Sequence, residues 1–92
     1  MKDLTLNVQE HVAVLTMNRP QVLNAIGMTM AKEFHEALDA IENNPDIRAV
    51  IITGSGTKSF CSGADLKERK AMTESELWQH TSLIKDAFQR IE

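Results

Sequence analysis

Asp46-Ile47-Arg48-Ala49-Val50-Ile51-Ile52-Thr53-Gly54-Ser55-Gly56 decides the fold class. Its centre, Ala49 to Thr53, reads as a strand whose unbroken apolar run, Ala49 to Ile52, is the pattern of burial on both faces in a parallel sheet. Upstream, Val12 to Met17 reads as another strand, ended at Asn18-Arg19-Pro20 because proline lacks the donor that a ladder needs. Between the two, residues 20 to 27 form a loop that leads into a helix. Met30, Phe34, Leu38 and Ile41, with Ala37 filling in, give that helix a 3.6-residue apolar stripe, while Lys32 and Glu36 face outward. Asn43-Asn44-Pro45 ends it with residues that tolerate a left-handed turn and then a breaker. Strand, helix and strand make one right-handed βαβ crossover, so the class is α/β.

Working outward, Leu4, Leu6 and Val8 alternate with Thr5 and Asn7, a half-buried strand. After the polar break Gln9-Glu10-His11 it should pair antiparallel with Val12 to Met17 as a hairpin. At the other end, Thr73 and Glu76 form a capping box that opens a last helix burying Leu77, Ile84, Phe88 and Ile91. The segment from Phe60 to Leu66 is too short and too rich in small residues for a second long helix. No internal repeat, low-complexity stretch or interdomain linker interrupts the chain, so residues 1–92 read as one unit.

Composition narrows the function classes. In 92 residues, 42% are hydrophobic and 25% charged, an ordinary globular balance, and a formal charge of −3 argues against a nucleic-acid partner. A single cysteine excludes an internal disulfide and fits a reducing compartment. No apolar run approaches the length of a membrane span, and the first residues carry no signal or transit pattern, so the expected location is cytoplasmic.

Most chemical motifs fail on detail. Gly54-Ser55-Gly56-Thr57-Lys58-Ser59 follows a strand as a phosphate loop would, but Thr57 precedes Lys58 where a P-loop needs glycine, and the third dinucleotide glycine is missing. His11, His35 and His80 stand at no ligand spacing to Cys61 or to one another, so no metal site is expected. Cys61 reads as a small buried thiol, since nothing nominates a base for it. Glu33 with Glu36, and Glu74 with Glu76, read as solvated charges on polar helix faces rather than acid/base pairs. Lys67, Arg69 and Lys70 form a basic cluster interrupted by Glu68, suited either to a phosphate-bearing ligand or to solvent. Phe60-Cys61-Ser62-Gly63-Ala64-Asp65-Leu66-Lys67 stays open between two readings. Its small residues permit close approach of a ligand to a backbone N–H, and they would equally suit a tight packing corner.

Three stretches resemble the crotonase superfamily of enoyl-CoA hydratases and isomerases. They are Val12 to Pro20 with Leu23-Asn24-Ala25-Ile26, then Asp46 to Gly56, then Phe60 to Lys67, the most specific of the three. The continuation Glu68-Arg69 is most similar to the methylglutaconyl-CoA hydratase branch. The resemblance implies a crotonase-like (ClpP/crotonase) β-β-α-β half-fold with a following helix. It implies a CoA thioester as substrate, no separate cofactor, and enolate chemistry, either hydration or isomerisation. Ala64 matches the family residue whose backbone N–H is one of two donors to the thioester oxygen. Val22, Leu23 and Ala25 match the loop along the CoA moiety. Ala64, Asp65, Leu66 and Lys67 match the segment around pantetheine and adenine, with Lys67 near a CoA phosphate. Ser62 and Gly27 stand where the family more often has alanine and a capping residue.

The resemblance covers about the first third of such a domain, which marks the half-fold as truncated. The family's second oxyanion donor and both catalytic glutamates have no counterpart among these residues. By the same resemblance a homo-oligomer, a trimer or hexamer, is expected. The alternative is a catalytically inactive crotonase-like module for binding or assembly.

Overall fold

The computed structural model describes residues 2–56, 61 and 63–91. Strands β1 (Leu4–Gln9) and β2 (Val12–Met17) form the antiparallel hairpin, in register Leu4↔Met17 to Gln9↔Val12. Glu10 turns the chain between them with φ 55°. Helix α1 (Met28–Glu42) crosses over, and β3 (Ala49–Gly54) returns parallel to β2, so the sheet order is β1-β2-β3. A five-residue helix α2 (Leu66–Lys70) and a long helix α3 (Glu74–Ile91) follow. The expected α/β order, hairpin and crossover are all present.

The core lies between one sheet face and α1. The strand registers place Leu4, Leu15 and Met17 on that face, and they cluster with Ile26, Met30, Ala31, Phe34, Ala37 and Leu38. Helix α3 closes the other side of α1, where Phe88 lies 6.4 Å from Phe34 between ring centroids. Arg90 fastens the same pair of helices. Its Nη2 meets Asp39 at 2.9 Å and Glu42 at 3.0 Å, and its Nη1 approaches His35 Nδ1 at 3.1 Å. His35 then donates through Nε2 to the Leu83 carbonyl at 2.8 Å.

Three expectations change. First, β3 is not buried on both faces: Val50 is 39% and Ile51 53% exposed. It is an edge strand of a three-stranded sheet; α1 packs on β1 and β2, and α3 packs on α1. Second, α3 buries His80 and Ala87 fully, whereas Leu77, Ile84 and Ile91 are half-buried and Phe88 is 46% exposed. A helix packed mainly against one other helix covers a narrower stripe than its sequence offers. The capping box is as expected, with Glu76 N–H donating to Thr73 Oγ1 at 3.2 Å and Thr73 N–H to Glu76 Oε1 at 3.1 Å.

Third, Glu33 is buried, while Glu36 stays exposed. The Glu33 carboxylate accepts the backbone N–H of Asp3 at 2.8 Å and that of Lys2, satisfying two donors that precede β1. Helix α1 thereby holds the start of the sheet by charge-assisted bonds. Glu33→Ala should cost about 2 kcal/mol in denaturant unfolding, because it strands those donors. Glu33→Gln, which keeps one acceptor, should cost less than half of that.

Candidate functional site

The chain between β2 and α1 has little regular structure, so polar side chains must hold it. Pro20–Val22 makes one 3-10 turn with proline first. Leu23 and Asn24 then both take left-handed backbone, at φ 55° and 56°. Asparagine adopts that region readily and leucine does not, so the turn needs support from outside. Fully buried Asn24 gives it: Oδ1 accepts Arg19 N–H at 2.8 Å, and Nδ2 donates to the Ser55 carbonyl at 2.9 Å. The loop is thereby tied to the end of β3.

Arg19 collects the surrounding pieces. Nη1 donates to the Ala25 carbonyl at 2.8 Å, Nη2 meets Asp65 Oδ2 at 3.0 Å, and Nε lies 4.0 Å from Asp3 Oδ2. Asp65 is the N-cap of α2, its Oδ1 accepting Glu68 N–H at 3.1 Å. That amide, with the guanidinium beside it, holds the Asp65 carboxyl below the usual carboxylate range against the opposing effect of burial.

Glu68 reaches back in the other direction. Its Oε1 accepts Met28 N–H at 2.8 Å, so a carboxylate from α2 caps α1, which has no side-chain cap of its own. This explains glycine at position 27. A Cβ there would collide with Glu68 Oε2 and sit 3.0 Å from Arg19 Nη1, although φ −88° would suit any residue.

A backbone bridge then joins the two stretches. Ile26 N–H donates to the Gly63 carbonyl at 2.7 Å, and Asp65 N–H donates to the Ile26 carbonyl at 2.9 Å, a parallel bridge centred on Ile26 and Ala64. Gly63 supplies the φ of +100° that lets the chain turn into it. Since the Gly63 carbonyl faces Ile26, the Ala64 N–H in the same planar trans peptide faces the opposite way. Among the described residues nothing accepts it, and Ala64 is half-buried.

The expected site residues are therefore brought together, with different exposures. Val22 and Leu23 are exposed at 37% and 42%, while Ala25 is buried with its carbonyl on Arg19. Asp65 is buried and engaged inward, whereas Leu66 and Lys67 are exposed. Cys61 is half-buried rather than buried, its Sγ accepting Gly63 N–H at 3.4 Å. Residues 57–60 and Ser62 lie outside the described residues. Arg69, Glu74, Leu77, Trp78 and Thr81 line a cavity of about 330 Å³ between α2 and α3. The roles of Arg19, Asn24 and Glu68 have no counterpart in the sequence reading. The left-handed preference of asparagine before a helix was the one local signal available.

Comparison with known proteins agrees with this architecture. Residues 7–91 match the family model described as enoyl-CoA hydratase/isomerase. YngF of Bacillus subtilis is 47% identical over 75 residues, which is 82% of this chain and 29% of that protein. The short-chain-enoyl-CoA hydratase of Clostridium acetobutylicum is 39% identical over 92 residues, 100% of this chain and 35% of that protein. A crystal structure of an enoyl-CoA hydratase from Bacillus anthracis superposes with a TM-score of 0.89 at 31% identity, over 97% of this chain and 35% of that one. The chain thus spans about a third of the length of the relatives it matches.

Gly27→Ala and Glu68→Ala should each cost about 1 kcal/mol of stability, the usual worth of a helix cap. Because both act on one contact, the double variant should cost clearly less than their sum. Asp65 gives a pH-dependent prediction. A carboxyl held low in the folded state contributes stability that is present above its unfolded pKa, about 4. It is lost as pH falls through the lower folded value. In thermal unfolding, Asp65→Asn should melt below the wild type at pH 7, and the two should converge as pH drops below about 4.

Proposed function

Because this chain belongs to the enoyl-CoA hydratase/isomerase family, we propose that it binds a CoA thioester across the 22–25 and 64–67 segments. In this reading Ala64 N–H is a donor to the thioester oxygen. The observation that carries it is the Ile26–Ala64 bridge, which pins the Gly63 carbonyl and leaves the adjoining N–H turned away from Ile26 without a partner among the described residues. A preorganised N–H aimed at a carbonyl oxygen stabilises the negative charge that builds there as an enolate forms. Such a donor contributes about 3 kcal/mol to the transition state.

The remaining residues divide into contacts and supports. Exposed Val22, Leu23 and Leu66 offer apolar surface to a pantetheine arm, and Lys67, exposed at the start of α2, offers a cation to a CoA phosphate. Ala25 and Asp65 support the site from within, through Arg19. The small cavity between α2 and α3 gives the acyl group apolar walls at Leu77 and Trp78.

Hydration also needs a base to activate water and an acid to protonate carbon. Glu68 caps α1 and Glu76 closes the box of α3, and Glu74, exposed at the wall of the α2–α3 cavity, matches neither catalytic glutamate of the family. These residues accordingly bind and polarise a thioester rather than hydrate it by themselves. The Glu68-Arg69 pair that resembles methylglutaconyl-CoA hydratases also has local structural work, with Arg69 Nη2 donating to Thr81 Oγ1 at 3.3 Å.

Titration of the chain with crotonyl-CoA labelled at the carbonyl carbon tests this reading. Binding should move the carbonyl ¹³C resonance downfield, and no hydration product should accumulate. Lys67→Ala should weaken binding about fivefold, equivalent to about 1 kcal/mol, and reduce its salt dependence. Binding with an unmoved carbonyl resonance would instead favour the inactive binding module, which has no use for the Ala64 N–H.

A further inference from the structure

The bridge that orients Ala64 is itself held from α3. The Ile26 carbonyl accepts two hydrogens, from Asp65 N–H at 2.9 Å and from His80 Nε2 at 3.0 Å, so both of its lone pairs are used. His80 has no exposed surface. Because Nε2 faces a carbonyl, it carries the ring hydrogen, and Nδ1 is left as an acceptor. Among the described residues Nδ1 has no hydrogen-bond partner.

That arrangement is a poor choice for packing alone. Fully buried polar atoms are normally paired, and an apolar side chain of similar size would fill the same space without stranding one. Among the described residues the ring's one polar contact is with Ile26, at the centre of the bridge. Ile26 grips both peptides that flank Ala64: its N–H holds the Gly63 carbonyl and its own carbonyl holds Asp65 N–H. With His80 on the second lone pair, that carbonyl cannot swing away from Asp65.

We propose that His80 is a positioning residue: by fixing the Ile26 carbonyl it sets the direction of the Ala64 N–H, and through it the polarisation of a thioester bound there. The statement about polarisation rests on the function proposed above, whereas the statement about direction stands without it. His80 touches no reacting atom in this account. It acts on the donor across one backbone residue.

Backbone ¹⁵N relaxation of the full chain, without ligand, tests the direction first. In wild type the Ala64 amide should show an order parameter near the rigid value of about 0.85. In His80→Leu it should fall toward the flexible range, below about 0.6, while the melting temperature holds or rises. His80→Gln places an amide nitrogen close to the position of Nε2 and should restore the rigid value. His80→Asn, whose nitrogen stops short, should not.

The second arm adds labelled crotonyl-CoA. Affinity should stay within twofold across the variants, while the downfield carbonyl shift is at least halved in His80→Leu and His80→Asn and recovered in His80→Gln. An Ala64 amide as rigid in His80→Leu as in wild type overturns the proposal. Should that variant not fold, equal order in His80→Gln and His80→Asn overturns it as well. A wild-type chain that binds crotonyl-CoA without any carbonyl shift removes the polarisation claim and the reading of Ala64, and leaves the direction of the N–H decided by relaxation alone.

Discussion

The guanidinium of Arg19 is the point on which the loop before α1 and the start of α2 depend. It meets acceptors from three separate stretches: Asp3 before β1, Ala25 before α1, and Asp65 at the start of α2. A planar group with five donors in a fixed fork suits this task in a way that lysine, a point charge, does not. The pair with Asp65 is largely withdrawn from solvent and further bonded on both sides, the condition under which an ion pair fixes geometry. Because Arg19 leaves β2 just before Pro20, the sheet itself locates the charge. The loop and the short helix are then organised around it.

Helix ends follow a related pattern of distant support. Helix α1 starts at a glycine and takes its cap from Glu68, while α2 takes its own cap from Asp65, which Arg19 already holds. The N-terminal end of α1, the turn at Gly63 and the start of α2 therefore form one polar assembly rather than three local motifs. Carboxylates spent in this way are stabilisers. Each accepts a backbone N–H as a carboxylate, the opposite of the protonated state a general acid needs.

What the sequence made legible was local and periodic. The alternation at Leu4 to Leu6, the stripe from Met30 to Leu38, the breaker at Pro45 and the box at Thr73 and Glu76 each repeat or close within a few residues, and each is found in the structure, although Val8, the next step of the alternation, is exposed. Glu33, Glu68 and His80 were illegible for the complementary reason. Their partners stand 31, 40 and 54 residues away, and no spacing rule connects a helix carboxylate with Lys2 N–H or an imidazole with the Ile26 carbonyl. The apolar run at Val50 and Ile51 was read correctly as a parallel strand, but its burial depends on what lies beside it. At the edge of a three-stranded sheet those side chains meet solvent. Around Ala64 the run of small residues could be read, and the long-range bonds of Arg19, Glu68 and His80 could not.

The separation along the chain between the partners in the bridge sets an order of events. The β1–β2 hairpin closes across two residues, a microsecond process with little loop entropy to overcome. The bond from His80 to Ile26 closes a far longer loop and requires α3 to be seated already. Yet α3 is the less deeply buried of the two long helices, with only His80 and Ala87 fully covered. Local opening follows the least-buried contacts. The bond between His80 and the Ile26 carbonyl is accordingly acquired late in folding and released early in thermal fluctuation, while the hairpin and α1 remain in place beneath it.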